Sequence, residues 1–162
     1  MLVRTSQAKR PREERAFNLY LDIDGVLLGR GCSASREIVL ARHAEAFLDF
    51  ALRHFNCYWL TTHCDGTRES VLRYLRPYCP ADILARLAAV RPTRFRTLKT
   101  EALEGDFYWI EDAPLQVEIE WLKTRGLLSR WIEVNTRKRP DDLVTAMSRL
   151  RTAIVARNPT GS

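Results

Sequence analysis

An α/β domain with a parallel sheet between layers of helices is the fold class this sequence predicts, and three observations predict it. Short apolar runs alternate along the chain with segments of helical periodicity, the order expected when parallel strands are joined by helical crossovers. Several of those runs end abruptly in polar residues. The length, 162 residues, suits one compact domain of this kind and leaves little room for a second.

The elements follow in order. Residues 1–15 are basic and polar, with Pro11 among them, and read as a flexible arm outside the packed domain. Phe17 to Ile23 is an apolar, strand-like run that closes on Asp24-Gly25. After a loop holding Gly29 and Gly31, Ser35 is a candidate helix cap, and Leu40, Ala44, Phe47, Leu48, Ala51, Leu52 and Phe55 recur at helical spacing. Cys57 to Leu60 is a second strand, closed by Thr61-Thr62. A helix around Arg68 to Leu75 is stopped by Pro77 and Pro80, and Ile83 to Val90 reads as a helix leading into a short strand before Pro92. Thr97 to Leu103 is helical up to Gly105. Phe107 to Ile110 is a third strand, ending in Glu111-Asp112, and Pro114 suits the first turn of a helix that ends at Gly126. Trp131 to Val134 makes a further strand and Asp141 to Ala156 a last amphipathic helix.

Composition bounds the function classes. Hydrophobic residues make up 46% and charged residues 28%, enough for a core and a hydrophilic surface. No apolar run approaches the roughly 18 to 20 residues that cross a bilayer, and residues 1–15 hold no signal-peptide core, so no membrane association and a cytoplasmic location are the expectation. The four cysteines (Cys32, Cys57, Cys64, Cys79) form no CxxC pair and fit no standard zinc knuckle, even with His63 added; they read as reduced thiols. The net charge of +6, with basic clusters at Arg4–Arg15, Arg91–Lys99 and Arg137–Arg139, steers anions to the surface, phosphorylated substrates and nucleic acid among them.

The polar strand ends carry the chemistry. In an open parallel sheet the carboxyl ends of the strands share one edge, where ligands bind. Asp22 and Asp24, Thr61 and Thr62, and Glu111 and Asp112 are expected to converge there, with Lys99 in reach at the start of its helix. Such a set suits phosphoryl transfer. One carboxylate attacks phosphorus and a second manages protons. A hydroxyl and an ammonium hold the phosphoryl oxygens, and Mg²⁺ relieves the repulsion between clustered acids. Asp22-Ile-Asp-Gly does not continue as a calcium loop, because Val26 and Ser33 stand where further ligands are needed.

Asp22-Ile-Asp-Gly-Val-Leu27 resembles the first motif of the haloacid dehalogenase (HAD) superfamily. Tyr58-Trp-Leu-Thr61 resembles the second, Lys99 in Thr97-Leu-Lys-Thr-Glu the third, and Tyr108-Trp-Ile-Glu-Asp112 the fourth. The resemblance implies a three-layer Rossmann-like, HAD-like domain over residues 16–157, with 158–162 as a tail and Mg²⁺ as cofactor. It implies Asp22 as nucleophile and metal ligand, and Asp24 as general acid/base with its backbone carbonyl on the metal. Thr61 would bind the phosphoryl group, with Thr62 as the fallback, and Lys99 would complete the catalytic set. Asp112 would contact the metal directly, with Glu111, where the family usually has Asp, in support. His63 is a candidate substrate contact. The spaces between motifs leave no room for a cap domain, which implies an open site and a large substrate, a phosphorylated protein or nucleic acid. The expected activity is a phosphatase; the alternative is a non-catalytic interaction or nucleic-acid-binding module on the same fold.

Overall fold

The computed structural model describes residues 17–31, 34 and 36–158. The arm at 1–15, Ser35, Cys32 and most of the 158–162 tail lie outside the described residues.

The central sheet has four parallel strands, β1 (Asn18–Leu21), β4 (Asn56–Trp59), β5 (Phe107–Glu111) and β6 (Trp131–Glu133), in the order β4-β1-β5-β6. Leu21 lies opposite Trp59 on one side and Ile110 on the other. The strands are apolar at nearly every position because both faces are covered. Leu19, Leu21, Cys57, Trp59 and Ile110 face a core closed by α1 (Ala44–His54), α2 (Arg68–Leu75), α3 (Ala81–Leu87) and α5 (Asp142–Arg157). Tyr20, Leu60, Phe107 and Trp109 face a smaller core under α4 (Gln116–Thr124). This is a Rossmann-like α/β architecture. The expected short strand before Pro92 exists as a single parallel bridge from Arg91 to Tyr58 at the sheet edge.

Strand order fixes the site. The chain moves from β1 outward to β4, then returns to the far side of β1 for β5 and β6. Those directions diverge between β1 and β5, which makes the carboxyl ends of these two strands the topological switch point where ligands of such sheets bind.

Three expectations are corrected. The helix expected from Ser35 begins only at Ala44, and Leu40 belongs to an antiparallel hairpin of β2 (Leu28–Arg30) and β3 (Ile38–Leu40). The space between the first two motifs therefore holds a hairpin and a helix, rather than a loop and a helix. Leu40, Ala44 and Phe47 do share a helical spacing, but pairing with Leu28 wins at Leu40. The helix expected over Thr97 to Leu103 is a single 3₁₀ turn, Lys99–Ala102. Pro114 stands ahead of α4 rather than in its first turn, because Leu115 is the cap.

Candidate active site

Asp22 continues β1 by one rung, its N–H donating to the Ile110 carbonyl at 3.1 Å, while Leu60 N–H donates to the Leu21 carbonyl at 2.8 Å. The ladder thus sets Asp22 level with Leu60 on one side and Glu111 on the other, with Thr61 one residue beyond Leu60. The chain then reverses: Val26 and Leu28 N–H both donate to the Ile23 carbonyl, with Gly25 at φ 73°. Gly25 is required twice, since that φ disfavours a side chain and an added Cβ would collide with the Asp112 carboxylate. The absent Cβ is what lets the Asp112 carboxylate pack against the loop that follows Asp22.

Asp22, Glu111 and Asp112 each offer an oxygen within 4.8 Å of the others, and they are the cation-capable cluster among the described residues. All donors are oxygen, which suits a hard divalent cation such as Mg²⁺ and excludes a thiolate zinc site here. Lys99 Nζ lies 3.3 Å from Asp22 Oδ2 and bonds Glu111 Oε2. Two of the three clustered carboxylates therefore share one ammonium. Burial, reinforced by the Asp22 charge, pushes the Glu111 carboxyl up to about 9 against the pull of Lys99. Burial works against the charge on Lys99, yet Asp22 and Glu111 outweigh it and raise the ammonium's pKa.

Asp24 does not join this cluster. The reversal turns its carboxylate to His63 Nε2, 2.6 Å from Oδ2, and to the Tyr74 hydroxyl, which donates to Oδ1 at 2.7 Å; Arg137 stands 3.8 Å away. Burial would raise this carboxyl, but the His63 and Tyr74 hydrogen bonds, with the charges of His63 and Arg137, hold it below the usual carboxylate range. His63 and Tyr74 stack with ring centroids 3.5 Å apart. Thr61 is 1% exposed and its Oγ1 accepts the His63 N–H at 3.3 Å, whereas Thr62 is exposed. Of the nearby arginines, Arg91 donates to the Tyr58 hydroxyl and Arg94 to the Asp65 carbonyl.

Three residues absent from the sequence-based set shape the site: Tyr74, Arg137 and Glu118. Glu118 is 2% exposed and accepts two N–H groups, from Lys99 at 2.6 Å and from Leu115 at 2.9 Å. It caps α4 and the turn carrying Lys99 with one carboxylate, tying the Lys99 backbone to the helix layer. Its sequence signal is an acid in the first turn after Pro114, which reads as a cap but does not name the second N–H. Glu118→Ala is expected to cost about 2 kcal/mol of stability, because two N–H groups lose the buried charged acceptor that caps them. Urea denaturation checks this, and an unchanged midpoint would refute the role.

No protein-family model, no curated protein and no solved structure matches the chain.

Proposed function

We propose that the protein is a Mg²⁺-dependent phosphatase of the HAD type, with an aspartyl-phosphate formed on Asp22. The observation that carries this reading is the meeting of Asp22, Glu111, Asp112 and Lys99 at one sheet edge. Asp22, Asp112 and Glu111 are the residues that would hold the cation. When bound, Mg²⁺ would neutralise the acid surplus and the charge of the phosphoryl oxygens.

The chain's own residues perform the steps. An Asp22 oxygen attacks phosphorus, the bond from phosphorus to the leaving oxygen breaks, and that oxygen takes a proton from the Asp24 side. Thr61 Oγ and Lys99 hold the phosphoryl oxygens meanwhile. Water then attacks the phosphorus, Asp24 takes its proton, and inorganic phosphate leaves with Asp22 restored. The three donors around Asp24 favour its ionised form, which suits the second half. For the first half, His63 bonded to Oδ2 is the group in contact that can carry the proton in. Among the described residues no helix is long and apolar enough to cross a membrane.

Purified protein is expected to hydrolyse an aryl phosphate with Mg²⁺, to lose that turnover with a chelator, and to regain it on re-addition. Mg²⁺ is also expected to raise the melting temperature, since an ion bound only by the folded state stabilises it. Turnover indifferent to chelation would overturn the metal assignment. Ligand binding with no turnover under any divalent cation would favour the non-catalytic module.

A further inference from the structure

Arg137, 3.8 Å from Asp24, also lines a cavity of about 570 Å³ on the hairpin side, where the charged residues lining it among the described residues are all cationic: Arg30, Arg42, Arg137 and Lys138. Its walls are the β2–β3 hairpin and the loop that follows β6. They are fixed to the nucleophile loop by Thr136, whose N–H donates to the Gly25 carbonyl at 2.8 Å and whose Oγ1 donates to the Val26 carbonyl at 3.0 Å. Gly29 makes the approach possible, since a Cβ there would sit 3.0 Å from Thr136 O and Oγ1.

The four cations are not equivalent. Arg42 is committed to Asp141 at 3.3 Å, and Arg137 faces Asp24 at 3.8 Å, so it belongs to the cavity and the active site together. Arg30 and Lys138 are exposed and form no ion pair with a carboxylate among the described residues. Four cations around one concave surface, two of them without an acid partner among the described residues, repel one another, and an anion relieves that repulsion. The scissile phosphoryl group does not fill this role, because it is taken at Asp22, Thr61 and Lys99. A second anion at short covalent reach of the first is what the geometry calls for.

We propose that this cavity binds a second phosphate of the substrate, which makes the substrate a phosphomonoester of a nucleotide or of an oligonucleotide end; the proposal rests on the phosphatase reading of Asp22. A phosphopeptide brings one dianion for each modified side chain, and the reacting site consumes it. A nucleoside 3′,5′-bisphosphate or a phosphorylated oligonucleotide end carries a further phosphate one sugar away, and the +6 net charge favours a polyanion over a neutral carrier. The size lies within the range of ligand pockets, roughly 300 to 1,000 Å³.

The test uses wild type and the double variant Arg30→Ser/Lys138→Ser with four probes: phenyl phosphate, a nucleoside 3′,5′-bisphosphate, a short single-stranded oligonucleotide with a terminal phosphate, and a phosphoserine peptide. Calorimetric binding and turnover are both read. The double variant is expected to weaken the bisphosphate and the oligonucleotide about tenfold, with phenyl phosphate hydrolysis unchanged. The slope of log affinity against log salt for the oligonucleotide should shrink by roughly 0.7 for each cation removed. A tighter oligonucleotide supports a polymer end, and equal affinities support a free nucleotide, both through the second phosphate. Unchanged binding of both nucleotide probes overturns the proposal, as does cavity-dependent binding of the phosphopeptide alone. Failure of the phosphatase reading shows separately, as no phenyl phosphate turnover in wild type, because the calorimetric readout needs no catalysis.

Discussion

Asp22→Asn is expected to abolish phosphate-ester turnover, by about a thousandfold or more, while leaving the fold intact. An amide is a poor nucleophile towards phosphorus, so the covalent route is closed rather than slowed. The substitution is nearly isosteric, and the backbone N–H that holds residue 22 to the Ile110 carbonyl is untouched. Loss of a negative charge next to Glu111 also removes one source of that carboxyl's elevated pKa. A stable but inactive variant is therefore the expected result, read by steady-state assay beside a melting curve. Residual activity above a tenth of wild type would place the nucleophile elsewhere.

Lys99→Met is expected to be the most destabilising of these substitutions in the absence of divalent cation, by about 3 kcal/mol. The methylene stem is largely replaced, so the loss is electrostatic: Asp22 and Glu111 stay buried with their ammonium partner removed. The burden can be shed by protonation of Glu111 or by a bound cation. Mg²⁺ should therefore raise the melting temperature of the variant more than that of wild type, although turnover stays lost because the phosphoryl oxygens lack their cationic contact. Denaturation with and without Mg²⁺ checks the pair of effects. Equal Mg²⁺ stabilisation in both proteins would show that Lys99 and the cation do not share those carboxylates.

What could be read from residues alone follows from how each feature is encoded. The strands carrying Asp22, Thr61 and Glu111 are apolar runs broken by polar residues, so both their existence and their functional ends are local. The β2–β3 hairpin was illegible because three-residue strands hold too little period, and Leu40 falls in step with the helix that follows. Pairing with Leu28 decides its conformation, and pairing is not local. The same limit hid Tyr74 and Arg137. Tyr74 reaches Asp24 across 50 positions and carries the helical spacing of an ordinary surface residue. The four-motif order names the residues proposed to do chemistry, whereas those that aim Asp24 and Lys99 come from helices and loops whose patterns report only their own elements.

The hydrogen bond from Thr136 to the Val26 carbonyl spans 110 positions, which bears on when the loop at 22–26 is braced. Contacts of that separation are costly to close and tend to form late. On a ribosome, the loop after Asp22 would emerge with β1 and wait through most of synthesis for the segment that braces it. The braced form of the loop would thus arrive near the end of translation. Truncated products ending before Thr136 would carry all four motifs and still lack the brace on Gly25 and Val26.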